Sequence, residues 1–586
     1  MLKRVSTVVI AGGALVIMLF PGAGRASVDD DFEALLDEVW EWQLAANPMF
    51  ASQLGDLRYN RSWRDSSPDA VNERHLATRA FLRRLIAIDS DALDEGNRLN
   101  YELFRRELTS DVERHQFNAH LLPFSHRGGL QNLDSRADLI PLETVAHFED
   151  WLARLGQLDT LVEQQIALAE AGIEAGVVPP GVLMQRIPAQ LDAQLVDDPA
   201  ASPFYRVFET LPDEFGAEQR EALQQAARRT IERTVLPAYR RLARWFDDRY
   251  LPAARDSIGL SELPNGGSWY EFLAREYTTT RMTPDEIHRL GLDEVKRIRD
   301  EMMQIIDEVG FDGSFAEFLE FLRTDPQFYY DNPEDLYEAY LATSKRIDPE
   351  LVKLFGKLPR MPYGVKPIPD SVAPDTTTAY YTRPAADGSR AGIYWVNLYR
   401  PEVRPKYEIE VLSVHEAMPG HHLQIALQQE LGDMPNFRRY SGFTAFVEGW
   451  GLYSESLGYE LGLYTDPYSR FGALTYEMWR AVRLVVDTGL HYKGWTRDQA
   501  IDFFRSNAAK TEHDIVNEID RYLGIPGQAL AYKVGQLKML ELRQAAELRL
   551  GDRFDVRAFH DEMLGAGALP LDLLESRMNR WISAQL

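Results

Sequence analysis

The residues best suited to chemistry sit in one short stretch. The chain has 12 His, and three of them fall in His415-Glu416-Ala417-Met418-Pro419-Gly420-His421-His422. The flanks are apolar, with Val411, Leu412 and Val414 before and Leu423, Ile425, Ala426 and Leu427 after. Imidazoles and a carboxylate buried among such neighbours are costly unless they are paired or hold a cation. Two His and an adjacent Glu suit zinc: the imidazoles ligate, and the carboxylate acts on a polarised water. Core histidines with ordinary hydrogen-bond partners are the plainer alternative. The number of polar groups in one apolar helix favours a metal.

The spacing is unusual. In the common H-E-x-x-H form the two ligands are four apart, about 40° around the helix. Here the fourth residue after His415 is Pro419, which has no donor atom. On a straight helix His421 lies about 240° from His415, whereas His422 is about 20° off but roughly 10.5 Å along the axis. Pro419 removes a helix hydrogen bond, so a bulge or a kink is expected there. A bulge brings His421 to the second-ligand position, and a kink brings His422. His421 is preferred, with the other His orienting a ligand or donating to substrate.

Catalytic zinc usually takes three protein ligands and leaves one position open. Glu448 is the candidate third. It lies in the apolar run Phe443–Glu455, after a turn signal at Gly432-Asp433-Met434-Pro435. Glu455, two helical turns on, is expected to orient a ligand His. Two later segments carry further candidates. Tyr532 is placed either to stabilise a developing oxyanion or as a core Tyr with a backbone partner, and His491 either to donate to a transition state or to hold a ligand carboxylate. Arg483 or Arg521 is placed to grip a substrate carboxylate, although Arg483 could instead pair with Asp487 and Arg521 with Glu518.

The elements that must position these residues are mainly helical. From Asp29 to about Tyr250 apolar residues recur at three and four, as in Leu35, Leu36, Val39 and Trp40. Thr283-Pro284-Asp285-Glu286 is a capping box that starts a helix running to about Val309. Between about 360 and 400 the texture changes. Ala379-Tyr380-Tyr381-Thr382 and Gly392–Asn397 read as strands, with a turn at Asp387-Gly388. Tyr394 and Asn397 are expected to meet substrate, whose extended backbone would add to that strand. From Tyr407 onward helices return. The fold expected is therefore mainly α, a large two-lobed helical body with a deep cleft. A small antiparallel β-sheet stands beside the metal-site helix.

Residues 1–26 read as a signal peptide. Lys3 and Arg4 precede an uncharged run from Val5 to Phe20, and Gly24-Arg25-Ala26 offers a small-residue cleavage site. That run is about 16 residues, short of the roughly 20 a membrane span needs. Residues 27–586 are then one helical catalytic unit, with an N-terminal part (27–260) and a metal-site part (261–586). The expected location is periplasmic or secreted, without a stable membrane anchor. With 90 acidic and 64 basic residues the net charge is −26, which disfavours nucleic acid as a partner. The absence of Cys excludes disulfides, thiolate nucleophiles, Cys-ligated zinc and a Cys-linked lipid.

Four segments in order, His415–Gln424, Phe446–Glu455, Arg483–His491 and Arg521–Gly535, resemble the bacterial family catalogued as domain of unknown function 885. That family name implies no activity. More distantly the layout is similar to helical zinc peptidases of the thimet oligopeptidase and angiotensin-converting enzyme kind. Those have H-E-x-x-H, a Glu on the next helix, an edge strand just upstream and a later Tyr-rich segment. The corresponding parts here are His415, Glu416 and His421, then Glu448, Gly392–Asn397 and Tyr532. The longer spacing from His-Glu to the next His departs from that pattern. The resemblance implies a zinc-dependent hydrolase, with Glu416 as base, acting on a peptide. The sequence leaves open two others: a zinc esterase or amidase on non-peptide substrates, and a non-catalytic exported helical binding protein.

Overall fold

Caps and periodicity set most of the helices. Ser27, Ser67 and Asp94 each accept a backbone N–H at the start of the helices Val28–Ala46, Pro68–Ile86 and Glu95–His115. Thr283 and Glu286 cap α1 (Pro284–Glu308) reciprocally, with the Thr283 N–H donating to Glu286 Oε2 at 2.8 Å. The computed structural model describes residues 27–369, 373, 377–385, 388, 390–432, 434–440 and 442–586. The expected signal peptide (1–26) and Asp387 of the expected turn lie outside the described residues. The protein is 70% helical and 3% strand, so it is mainly α.

The small sheet is mixed rather than antiparallel. β1 (Tyr363–Pro367), β2 (Ala379–Thr382) and β3 (Gly392–Val396) lie in the order β1-β3-β2. β2 pairs antiparallel with β3, with Tyr381 opposite Tyr394. β1 pairs parallel on the other side, with Val365 opposite Tyr394. The sequence Tyr-Gly-Val-Lys-Pro gives β1 no alternation and contains both weak strand formers, which hides it from periodicity. One consequence corrects the expected substrate strand: β3 is central, both its edges are paired, and no added strand fits beside it.

The helices that matter for the site follow. They are α2 (Ile409–Glu416), α3 (His421–Glu430), α4 (Thr444–Leu457), α5 (Pro467–His491), α6 (Glu512–Gly524) and α7 (Ala531–Leu550). Two apolar cores form. One gathers Phe32, Phe104, Tyr394, Val414, Trp450, Leu542 and Met578. The other gathers Trp151, Phe208, Tyr239, Ile298, Phe318, Phe471 and Phe504. Each therefore draws on both sides of residue 260. α5 feeds both, giving Tyr476 and Leu484 to the first and Met478, Val482 and Val486 to the second. α4 and α7 cross in backbone contact: a Cβ added to Gly449 would lie 2.6 Å from Gly535 Cα. Only glycine permits that approach, and it brings Glu448 and Tyr532, each within three residues of the crossing, onto one site. Among the described residues no helix is long and apolar enough to cross a membrane.

Candidate metal centre

The chain is interrupted between His415 and His421, neither bulged nor simply kinked. α2 ends at Glu416, and Ala417 leaves the helical region at φ −104° and ψ −104°. The Gly420 N–H donates to Val414 O at 2.9 Å and the His422 N–H to Ala417 O at 3.1 Å, closing a tight turn around a cis Met418–Pro419 bond. Trp450 Nε1 pins that turn to α4 by donating to Pro419 O at 2.8 Å. α3 restarts at His421, and its imidazole folds back on His415, with ring centroids 4.7 Å apart at 85°.

Glu448 meets both imidazoles. Its Oε2 lies 3.4 Å from His421 Nε2 and 3.8 Å from His415 Nε2. One ligand atom from each of the three residues lies within 4.8 Å of the others. Tetrahedral zinc with ordinary bond lengths sets its ligand atoms roughly 3.3 Å apart. The three residues thus fit a zinc ion in donor type and in spacing. Their electrostatics agree. Burial opposes charge on His415, but hydrogen bonds to Glu448 and Glu455 overcome it and push the imidazole up to about 9. Burial would raise the Glu448 carboxyl, yet hydrogen bonds from His415 and His421 hold it far below the usual range. This group attracts positive charge.

Glu455 fixes His415 from behind, its Oε1 accepting from His415 Nδ1 at 2.7 Å. Arg480 Nη2 stands 3.9 Å from the same oxygen. α4 reaches the imidazole because residue 451 has no side chain: a Cβ there would lie 2.8 Å from His415 Cε1. Glu416, the last residue of α2, is partly exposed, and among the described residues no hydrogen bond or ion pair engages its carboxylate. Tyr532 is half-buried at the start of α7. Burial raises its phenol pKa first and the Glu448 charge second, so the hydroxyl lies in the field of the metal group.

Other candidates stand elsewhere. His422 is turned away from the group. Its Nδ1 pairs with Tyr381 Oη at 2.8 Å and its Nε2 with Met361 O at 3.0 Å. His491 is fully buried between backbone partners, accepting from the Leu260 N–H at 3.1 Å and donating to Tyr522 O at 3.0 Å. Burial drives it down to about 4, so it is a neutral structural histidine with no nitrogen free for substrate. Tyr394 is 0% exposed and its hydroxyl faces Ser413. The Asn397 amide donates to Ala373 O and Thr377 O. Both side chains are fully buried and hold the sheet and its loop rather than facing substrate. Arg483 and Arg521 share Glu518, at 3.2 and 3.0 Å. The alternative partner of Arg483 does not form: Asp487 Oδ1 accepts instead from Tyr270 Oη and the Gly527 N–H.

One residue near the site was not singled out from the sequence. Arg127 acts electrostatically on the same groups as Arg521, including Glu518 and Tyr532. Its neighbours Gly128-Gly129 signal only a turn, and nothing in the sequence links it to residues some 400 positions later.

A mainly α protein in which three helices bring together a His-His-Glu group is the class that fold and site define. The chain belongs to the family described as bacterial protein of unknown function (DUF885), whose model matches residues 48–578. It is similar to the solved structure of a protein described as a "putative lipoprotein" from Colwellia psychrerythraea. The two are 31% identical with a TM-score of 0.89, over 96% of this chain and 100% of that one. A "putative lipoprotein of unknown function" from Shewanella oneidensis shares the fold at 17% identity and a TM-score of 0.74, over 95% of this chain and 100% of that one. No functionally curated protein matches the chain.

Proposed function

We propose that this protein is a zinc-dependent hydrolase, a metallopeptidase acting on short peptides. The observation that carries the proposal is the convergence of His415, His421 and Glu448, with ligand atoms within 4.8 Å of one another, at the end of the helix that carries Glu416, whose carboxylate has no partner among the described residues. Zinc held there would polarise a substrate carbonyl and make water more acidic. The remaining work belongs to the chain. Glu416 takes the proton of the attacking water and passes it to the leaving amine nitrogen. Tyr532, kept protonated by burial and by the Glu448 charge, donates its hydroxyl to the oxyanion that develops on the carbonyl oxygen. Glu455 holds His415 by Nδ1, so that Nε2 faces the group.

A structural zinc site is closed by four protein ligands. Among the described residues only three donors gather, and the adjacent His422 is committed to Tyr381 and Met361. That favours an open, catalytic position over the binding-protein alternative. The N-terminal pattern of residues 1–26 and the lipoprotein descriptions of the two similar structures support a place outside the cytoplasm, periplasmic or secreted.

The test is metal analysis and cleavage of a peptide library by wild type and Glu416→Gln, with acyl esters assayed beside the peptides. About one zinc per chain in both proteins is expected. The variant should lose about 10²- to 10⁴-fold in kcat. Equal turnover by the two proteins overturns the mechanism, and hydrolysis of esters alone overturns the peptide assignment.

A further inference from the structure

An island of arginines surrounds the C-terminal half of α6 in an acidic protein. The whole chain carries −26, yet each of two carboxylates on this helix faces two arginines. Asp520 takes Arg186 and Arg497. Glu518 takes Arg483 and Arg521. On the Glu518 side, Arg127 lies within the electrostatic reach of Arg521 and Glu518. Arg127 stands on a tight loop closed between Ser125 and Gly128. The loop packs against the end of α6, where a Cβ on Gly524 would lie 3.1 Å from His126 Cε1. Arg127 is exposed, and among the described residues no ion pair or side-chain hydrogen bond engages its guanidinium. Arg483 is 4% exposed and its Nη1 is buried without a partner. The other nearby acid, Asp487, has Oδ1 committed to Tyr270 and Gly527, and burial holds its carboxyl up to about 7. Two buried guanidinium groups, Arg483 and Arg521, thus share one carboxylate, and the exposed Arg127 stands on a loop packed against the same helix. Buried charge in excess is costly until an anion pairs with it.

This island adjoins the metal centre. Arg521 Nη1 donates to Gln528 Oε1 at 2.9 Å, and Gln528 Nε2 reaches Tyr532 Oη at 3.5 Å. The Arg483 guanidinium lies 4.5 Å from the centre of the Tyr532 ring. The positive group therefore begins one side chain beyond the phenol that lies in the field of Glu448.

We propose that Arg127, Arg483 and Arg521 form the subsite for the C-terminal carboxylate of the substrate, so that hydrolysis falls close to a free C-terminal chain end. The cleavage part of this proposal rests on the hydrolase function proposed above, and the binding part does not. Guanidinium groups pair with a carboxylate in a planar two-bond geometry, and an amide cannot replace that charge. Arg127 is the residue free to reorganise, while Arg483 and Arg521 supply fixed positive charge behind it.

The experiment measures binding by calorimetry to full-length Glu416→Gln protein. The probes are acetylated tri- to hexapeptides, each as free acid and as C-terminal amide. The acids are expected to bind at least about tenfold tighter. Arg127→Ala, exposed and unpaired, should fold normally and bring the ratio of acid to amide affinity close to one. Equal binding of acid and amide by the parent, or binding of neither, overturns the subsite. So does an unchanged preference in Arg127→Ala. An amidated peptide ending in Glu supplies the same charge from a side chain, and tight binding of that probe overturns the chain-end assignment. Turnover by the wild type is scored separately. If the acids bind as stated and none is cleaved, the hydrolase function fails and the subsite stands.

Discussion

Glu455 accepts the Nδ1–H of His415 at 2.7 Å, from the same helix face that presents Glu448 two turns earlier. One helix therefore supplies a carboxylate to each side of the same imidazole. The front carboxylate lies with the candidate ligands, and the rear one fixes the ring's tautomer and direction. Glu455→Gln keeps an oxygen for the Nδ1–H and removes the charge. The expected result is about a 10- to 100-fold loss of zinc affinity, read by competition with a chromophoric chelator. Unchanged affinity would remove Glu455 from the metal site.

Gly451 is expected to be intolerant of the smallest side chain. A Cβ there would lie 2.8 Å from His415 Cε1 and 2.9 Å from Nε2, so the imidazole or α4 must move. Gly451→Ala should cost about 1–3 kcal/mol of stability through overpacking. Its diagnostic effect is on the ligand. Zinc bound to the folded state is expected to raise the melting temperature of the wild type, and that rise should shrink in the variant. A full zinc-dependent rise would show that His415 is not displaced.

Tyr532→Phe separates chemistry from packing. The ring stays beside the Arg483 guanidinium at 4.5 Å, and only the hydroxyl is lost. Removing one oxyanion donor typically costs about 10²- to 10³-fold in kcat. Zinc content and melting temperature should stay at wild-type values. A variant with unchanged kcat would return Tyr532 to a packing role.

The helical body was legible because capping and period act locally. Thr283 and Glu286 announce α1 within a few residues of its true start. The hairpin of β2 and β3 was legible for the same reason, whereas β1 was not, because it gains its place from a partner far along the chain. Periodicity also treats a helix as straight. It left His421 and His422 both open, and the tight turn that separates α2 from α3 is what orients them differently. His491, Tyr394 and Asn397 carry polar groups in apolar surroundings, which is the pattern of a site and equally of a satisfied core residue. Their partners, backbone groups for His491 and Asn397 and the Ser413 hydroxyl for Tyr394, are remote in sequence and decide between the two. Arg127 illustrates the opposite failure: it is an ordinary residue in an ordinary turn until the fold sets it beside Arg521.

Asp487 gives a prediction about stability against pH. Burial is the main cause that pushes its carboxyl up from 3.8 to about 7, with hydrogen bonds from Tyr270 and Gly527 pulling the other way. The folded state therefore holds this proton more tightly than the unfolded chain does. Its contribution is most favourable below about pH 4 and is lost progressively as pH rises through 7. A shift of about three units bounds the loss at about 4 kcal/mol. Asp487→Asn keeps an oxygen for the Tyr270 hydroxyl and the Gly527 N–H, and cannot ionise. The amide introduces some constant offset, because its NH₂ replaces an oxygen that has no partner. On top of that offset, thermal or urea melts of the two proteins between pH 4 and 8 should diverge in the variant's favour as pH rises. A gap that stays constant across this range would mean that Asp487 is already ionised at pH 4 in the folded protein. Arg483 and Arg521 would then be compensating its charge, and the anion subsite beside them would be weaker than their number suggests.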